Sequence, residues 1–137
     1  MAMISTRGRY ALRVIVDLAE HDGTETDVPL KEIAERQGIS EKYLESIVKS
    51  LVQGKILQGS RGKGGGYRLI RKPAHCTMGD ILRLTEGDLA PVSCLSPDAQ
   101  TCERAERCPT LPMWTRLNGM IQDFLDSVTI ADLMGKA

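Results

Sequence analysis

The stretch LKEIAERQGISEKYLE, residues 30–45, combines the end of one helix with the start of the next. Gly38 is a typical residue for ending a helix, and Ser40 is a typical N-cap for the helix that follows. Apolar residues repeat with helical spacing on both sides of this junction, at Leu30, Ile33, Ala34, Leu44, Ile47, Val48 and Leu51. Two helices joined by a short turn that contains glycine are typical of a helix-turn-helix.

A further helix and two strands are predicted around this pair. Residues 5–21, STRGRYALRVIVDLAEH, carry apolar residues at i, i+3, i+4 and i+7. The segments KILQGS (55–60) and GYRLIR (66–71) alternate as strands do, and the basic, glycine-rich RGKGG (61–65) separates them. Three helices followed by a basic hairpin are the element order of a winged helix, so the predicted fold is mostly α with a small β-hairpin.

The C-terminal half is predicted to be helical at both ends, with a loop between the helices. Thr77 and Asp80 have the spacing of a capping box at the start of a helix. Four of the six prolines fall in residues 91–112, which favours a loop. A longer helix is expected from Met113, and its apolar stripe consists of Leu117, Met120, Ile121, Phe124 and Leu125.

The chain carries 18 basic and 18 acidic residues, but their distribution is uneven. Residues 42–72 hold eight lysines and arginines against one acidic residue, Glu45, and this excess favours a polyanionic partner. With five aromatic residues in all, a stacking surface for single-stranded nucleic acid is not expected. No apolar run has the length of a membrane span and no leader is recognisable, so we expect a cytoplasmic protein without a membrane partner.

The helix after the turn and the hairpin have the chemistry of a duplex-binding surface. Lys42, Glu45 and Lys49 lie off the apolar stripe of the helix that would enter the major groove. Glu45 can accept a hydrogen bond from cytosine N4, or it can pair with either lysine instead. In the hairpin, Arg61 and Lys63 supply charge to phosphates while the glycines permit close backbone approach. The segment does not match a P-loop. In a P-loop the lysine is followed by Ser or Thr and then by a helix, whereas Lys63 is followed by glycines and a predicted strand.

Three segments, STRGRYALR (5–13), LKEIAERQGISEKYLE (30–45) and RGKGGGYRL (61–69), resemble the winged-helix repressor family of the iron–sulfur cluster regulator IscR, the cysteine-metabolism repressor CymR and the nitric-oxide-sensing repressor NsrR. LTEGDLAPV (84–92) and SVTIADL (127–133) extend the resemblance over nearly the whole chain. It implies a homodimer, crossed through the C-terminal helix, that binds a partly palindromic operator. Together with Lys49, the DNA-binding positions are expected at Ser40, Lys42, Tyr43, Glu45, Arg61, Gly62, Lys63, Gly64 and Gly65.

The resemblance also divides the chain into three regions. Residues 1–75 correspond to a winged helix-turn-helix DNA-binding domain, 76–112 to a linker helix with a cysteine-rich loop, and 113–137 to a dimerisation helix. Two recognition helices of such a dimer are expected about 34 Å apart, so that they enter successive major grooves. Tyr43 and Tyr67 also suit packing roles, and for Tyr67, beside the wing, packing is the favoured interpretation.

Three of the four cysteines, Cys94, Cys102 and Cys108, fall within CLSPDAQTCERAERC (94–108). Clustered thiols in a cytoplasmic protein indicate metal or redox chemistry rather than a structural disulfide. Thiolates on a loop suit an iron–sulfur cluster or zinc, and a thiol switch or no special role are the open alternatives. Cluster-binding members of the similar family carry three cysteines here, usually with five residues in each gap, whereas the first gap of this chain has seven.

The fourth ligand of such a cluster stays open. In the iron–sulfur regulator a histidine lies three residues after the last cysteine, and the matching position here is Leu111. In other members of the similar family the ligand is a carboxylate or histidine in the first helix of the partner subunit, and the matching residues 8–13 include neither. The remaining donors are a partner-subunit group, a small thiol, water, His75, Cys76, Asp98, Glu103 and Glu106. Cys76 is expected to be a half-buried packing residue, because it stands beside the start of a helix.

The sequence therefore predicts a homodimeric DNA-binding regulator, acting as a repressor, that senses iron–sulfur or redox status through residues 94–108. LTEGDLAPV resembles the cysteine-metabolism branch, so the alternative is a cluster-free repressor of sulfur metabolism controlled by a partner enzyme or by thiol oxidation. An enzyme is not expected, because the chain lacks a CxxC pair, a nearby catalytic histidine and a cofactor fingerprint. The basic stretch 42–72 argues against an adaptor that no longer binds DNA.

Overall fold

The computed structural model describes residues 3–62 and 64–135. Its helices are α1 Thr6–Glu20, α2 Leu30–Gln37, α3 Glu41–Gln53, α4 Met78–Glu86, α5 Leu111–Ser127 and α6 Ile130–Leu133. Two strands lie between α3 and α4, β1 Leu57–Ser60 and β2 Gly66–Leu69. This is the predicted mostly α fold with a small hairpin. No helix within the described ranges combines the length and the apolar character that spanning a membrane requires.

Capping interactions set the limits of the three N-terminal helices. The Ser5 side chain accepts a hydrogen bond from the Gly8 N–H at 3.0 Å, and the Ser40 side chain accepts one from the Tyr43 N–H at 3.1 Å. Each serine therefore satisfies a backbone donor that the helix itself leaves free. Gly38 adopts the left-handed conformation, with φ of 66°, and ends α2. The chain thus passes from α2 to α3 through the short turn of a helix-turn-helix.

The hairpin, which we call the wing, is fastened to the helical body along one edge. β1 and β2 are antiparallel, and Leu57 is paired with Leu69 at the base of the ladder. Val28 adds a bridge to Tyr67, in which the Tyr67 N–H donates to the Val28 carbonyl at 2.9 Å and the Val28 N–H donates back at 2.8 Å. The segment before α2 therefore pairs with β2 as a short third strand would, and this pairing fixes the wing beside the helices.

One apolar core joins α1, α2, α3, the wing, α4 and α6. Its largest fully buried side chains include Ile15, Leu18, Ile33, Leu44, Ile47, Leu51, Ile56, Leu57 and Ile81. A charged group is buried beside it, because the Asp17 side chain in α1 is fully shielded from solvent. Arg36 donates to both Asp17 oxygens, at 2.7 and 3.0 Å, and Gln37 donates to Oδ2 at 2.9 Å. The two-point bond from the charged Arg36 and the single bond from Gln37 hold α2 against α1.

Helix α5 starts earlier than the sequence predicts. It begins at Leu111 rather than Met113, and Pro112 lies in its first turn. Proline suits that position, because its ring sets a helical φ and its missing N–H is not needed there. Treating every proline of residues 91–112 as a loop marker was therefore wrong at this point, and the expected border between linker and dimerisation regions falls inside a helix.

The predicted apolar stripe of α5 is divided between two surfaces. Ile121 and Leu125 pack with Leu82 of α4 and with Leu89 in a second, smaller core cluster. The other side of the helix carries exposed apolar side chains, at Met113, Leu117, Met120 and Phe124. We call this set the α5 stripe. One side of α5 therefore packs on α4, while the α5 stripe belongs to neither apolar cluster of the described residues.

Candidate nucleic-acid interface

A cleft of about 510 Å³ lies between α3 and the wing. Its walls are formed by Glu45, Lys49, Val52, Gln53, Gly59, Ser60, Arg61 and Tyr67. We call this feature the wing cleft. Glu45, Lys49 and Arg61, which the sequence placed in two separate motifs, thus meet around one open groove. Gln53 and Ser60 were not predicted as part of the site, because only the folded hairpin brings them to it.

Lys42, Glu45 and Lys49 share one exposed face of α3. Spacings of three and four residues place them within about 60° of each other around the helix axis. Among the described residues, Glu45 forms no ion pair with a lysine or arginine. Its carboxylate is therefore not neutralised by the neighbouring lysines and stays available as a hydrogen-bond acceptor.

The tip of the wing is built on glycine. Gly62 and Gly64 have φ of 89° and 81°, which residues with a Cβ rarely adopt. The Gly65 N–H closes the turn by donating to the Gly62 carbonyl at 3.0 Å. Arg61 stands at the base of this turn, and the predicted contact Lys63 lies outside the described residues. Because neither Gly62 nor Gly64 has a side chain, the backbone is accessible at these two positions of the turn.

The two tyrosines differ in how far they are engaged. The Tyr43 ring meets the Tyr10 ring edge-on, with centroids 5.7 Å apart, yet 39% of Tyr43 remains exposed. Tyr67 is half-buried against the core, and its ring lies over Gly59, where an added Cβ would come within 3.1 Å of it. The packing interpretation of Tyr67 agrees with these contacts, while Tyr43 packs on α1 and still faces outward.

Some of the basic residues in 42–72 are neutralised within the chain. Arg68 lies 3.2 Å from Asp27, and Arg71 lies 3.0 Å from Asp80. The Ser60 hydroxyl, and Arg68 after it, hold the pKa of Asp27 below its ordinary value. The charge excess counted along the sequence therefore overstates the charge that the wing cleft offers a ligand.

Arg7 of α1 contacts α3, and sequence reasoning did not identify it. Its guanidinium donates to the Ser46 hydroxyl at 2.9 Å, to the Ser46 carbonyl at 2.9 Å and to the Ser50 hydroxyl at 2.6 Å. Both serines belong to α3. Their i, i+4 spacing places both hydroxyls on one side of α3, but nothing in the sequence identifies Arg7 as the donor.

The three loop cysteines are free thiols and are not assembled as one metal-binding group in the described part of the chain. Cys94 and Cys102 are exposed, and the Cys102 sulfur accepts a hydrogen bond from the Arg104 N–H at 3.4 Å. The Cys108 sulfur lies 3.4 Å from the Thr110 hydroxyl. Across residues 3–62 and 64–135, no three His, Cys, Asp or Glu side chains come together as a metal-binding group. The loop therefore offers thiols without assembling them.

Cys108 and Cys76 have opposite environments. The Thr110 hydroxyl and neighbouring backbone N–H groups lower the pKa of the Cys108 thiol, whereas burial raises the pKa of Cys76. Cys76 is fully buried in the core rather than half-buried as expected, so its packing role is clear and its use as a ligand would require unfolding. The other suggested fourth donors are exposed, at His75, Asp98, Glu103 and Glu106.

Comparison with known proteins agrees with this architecture. The family model of Rrf2, described as an iron-dependent transcriptional regulator, matches residues 4–136. The HTH-type transcriptional regulator IscR of Aliivibrio salmonicida is 35% identical over 131 residues, covering 96% of this chain and 76% of the relative. The regulator CymR of Bacillus subtilis is 38% identical over 130 residues, covering 95% of this chain and 88% of the relative.

The solved structure of B. subtilis CymR, the global cysteine regulator, superimposes with a TM-score of 0.79 at 36% identity and covers 100% of this chain and 99% of that one. This confirms the predicted winged-helix fold. The relatives are transcriptional regulators, so the predictions of a DNA-binding regulator and of a protein that is not an enzyme are confirmed as well. The chain belongs to the Rrf2 family of transcriptional regulators.

Proposed function

We propose that this regulator is a homodimeric repressor that places α3 in the major groove of a partly palindromic operator and the wing along the adjacent backbone. The observation that carries the proposal is the wing cleft, where Glu45 and Lys49 of α3 face Arg61 of the wing. A helix that carries both signs of charge beside a glycine-tipped basic turn suits a duplex, because base edges need acceptors and donors while phosphates need cations.

Each predicted contact has a distinct role in this proposal. Ser40, Lys42, Tyr43 and Glu45 occupy the first turns of α3, which meet base edges when a recognition helix enters the groove. Glu45 accepts from cytosine N4, and Lys49 binds phosphate. Phosphate and minor-groove contacts come from the wing segment Arg61, Gly62, Lys63, Gly64 and Gly65.

The dimer is proposed to form through the α5 stripe, with a second copy of this chain as its partner. Met113, Leu117, Met120 and Phe124 follow one another at spacings of four, three and four residues, the apolar repeat of helices that pack against helices. Phe124 is 62% and Met120 61% exposed in the single chain, so pairing removes a large apolar area from water. Twofold symmetry then matches the symmetry of a palindromic operator.

The loop of residues 94–108 is proposed as the sensor of iron–sulfur or redox status. Three thiols are the donor type that an iron–sulfur cluster needs. The folded loop does not fit a cluster as it stands, since its sulfurs do not form a group and no fourth donor joins them among the described residues. We therefore assign no regulatory step to a cluster, and its binding stays a prediction that requires the loop to rearrange.

A second candidate keeps the DNA-binding role and makes the protein a cluster-free repressor of sulfur metabolism. The exposed, free thiols of Cys94 and Cys102 favour it, because accessible thiols are open to oxidation. Control by a partner enzyme belongs to the same candidate.

Reconstitution with ferrous iron and sulfide under anaerobic conditions separates the two sensors. The cluster prediction expects bound iron and acid-labile sulfide, with visible absorption that Cys102→Ser abolishes. Colourless, iron-free protein after the same treatment contradicts cluster binding and favours thiol oxidation as the sensing reaction. Cys76→Ser is the matched control, because its sulfur is buried away from the loop.

Arg61→Ala tests the wing. We expect the operator affinity to fall and the slope of log K against log salt to become shallower by about two, because the dimer loses one phosphate contact in each half-site. Electrophoretic mobility shifts at several salt concentrations measure both quantities. Arg107→Ala, an equal charge change in the exposed cysteine loop, is the control, and an unchanged slope for Arg61→Ala contradicts the assigned contact.

A further inference from the structure

Besides the apolar core and the Tyr10–Tyr43 ring contact, α1 reaches α3 through the polar side chain of Arg7. Arg7 is half-buried and directs three hydrogen bonds to two residues of α3, Ser46 and Ser50. Hydrogen bonds from a charged donor are stronger than neutral ones, and a guanidinium holds its donors in a fixed plane. Arg7 therefore restrains the rotation of α3 about its axis as well as its distance from α1.

The start of α1 is itself anchored. The Ser5 N–H and hydroxyl both donate to one oxygen of Glu86, the last residue of α4, at 3.0 and 2.6 Å. The two elements also approach closely at Gly8, where an added Cβ would lie 2.2 Å from the same oxygen. Arg7 thus extends from a segment that α4 holds in place, and it transmits that fixed position to α3.

The bonds of Arg7 lie next to the residues that read DNA. Ser46 follows Glu45 directly, and Ser50 follows Lys49. Neither serine lines the wing cleft, so Arg7 approaches α3 from outside the groove between α3 and the wing. A rotation of α3 that broke these bonds would carry Glu45 and Lys49 around the axis with it.

We propose that Arg7 is a positioning residue for sequence-specific recognition, which holds α3 at the rotation that aligns Glu45 with a base edge. This inference rests on the proposed operator binding and adds a determinant outside the helix-turn-helix and the wing. Geometry that is looser by about an ångström costs base contacts more than phosphate contacts, because paired donors and acceptors at base edges need close alignment. Arg7 therefore governs discrimination between sequences more than affinity for DNA in general.

Two variants test this on the full-length protein. Arg7→Lys keeps the positive charge but loses the planar set of guanidinium donors. The double substitution Ser46→Ala with Ser50→Ala removes both hydroxyl acceptors and leaves Arg7 in place. Alanine has a higher helix propensity than serine, so the second variant retains α3. Arg9→Lys is the matched control, because the Arg9 side chain donates only to Thr6 of its own helix among the bonds described.

The measurements are the affinities for a duplex selected from a random pool by the wild-type protein and for an unrelated duplex, each at several salt concentrations. We expect both variants to bind the selected duplex about tenfold more weakly, with the affinity for the unrelated duplex and the salt slope unchanged. Equal weakening on both duplexes with a shallower slope overturns the proposal, because Arg7 would then be a phosphate contact. Wild-type behaviour in both variants also overturns it. A wild-type protein that prefers no duplex refutes the proposed function instead, before any variant is compared.

Discussion

Replacing Met120 and Phe124 together with aspartate should convert the protein from a dimer to a monomer and weaken operator binding by at least about a hundredfold. The two side chains are the most exposed members of the α5 stripe. Two carboxylates on each of two facing helices would repel each other and would be costly to desolvate. A monomer also loses the gain of binding two half-sites at once, which is about a hundredfold or more.

Sedimentation analysis and mobility shifts on the selected operator measure the two effects. Thr115→Asp is the control, because Thr115 is an exposed residue of α5 on the side away from the α5 stripe. It should remain dimeric and bind normally. A doubly substituted protein that is still a dimer would show that the subunits associate through another surface.

Asp17→Asn should lower the free energy of unfolding by about 3 kcal/mol. The Asp17 carboxylate is fully buried and accepts from Arg36 and Gln37. An amide of the same size turns one acceptor into a donor that faces those donors, and it leaves Arg36 with only the more distant carboxylate of Glu32, at 3.8 Å. Since Asp17 joins α1 to α2, the apolar core that these helices share with α3, the wing, α4 and α6 should be destabilised.

Urea unfolding followed by circular dichroism measures this change. The control is Asp126→Asn, which removes a carboxylate bonded to Arg83 at 2.7 Å while 48% of the Asp126 side chain is exposed. An exposed pair contributes less than about 1 kcal/mol. An equal loss of unfolding free energy in the two variants would contradict the claim that the buried ion pair contributes more than the exposed one.

The N-terminal half could be predicted from the sequence because its signals are local. Ser5 and Ser40 cap helices, Gly38 ends one, and the glycines of the wing turn mark the hairpin, all within a few residues of the element they define. Apolar spacing then assigned the buried faces of α1, α2 and α3 correctly. The same locality explains the error at Pro112, since a proline in a first helical turn looks like a proline in a loop until the following residues are seen to be helical.

What could not be predicted depends on contacts between distant parts of the chain. The sequence shows one apolar stripe on α5. In the structure α4 covers Ile121 and Leu125 and leaves Met120 and Phe124 exposed, and only the position of α4 decides this division. The link from Arg7 to α3 has the same origin. For the loop cysteines, spacing gives the donor type but not the distance between sulfurs.

The central claim is that two copies of α3 and the wing read one operator together. Selection of duplexes from a random pool by the wild-type protein, followed by sequencing, tests it most directly. The account predicts enrichment of two inverted half-sites whose centres are separated by about one helical turn or a small multiple of it. Enrichment of a single unpaired half-site, or no enrichment at all, would contradict it.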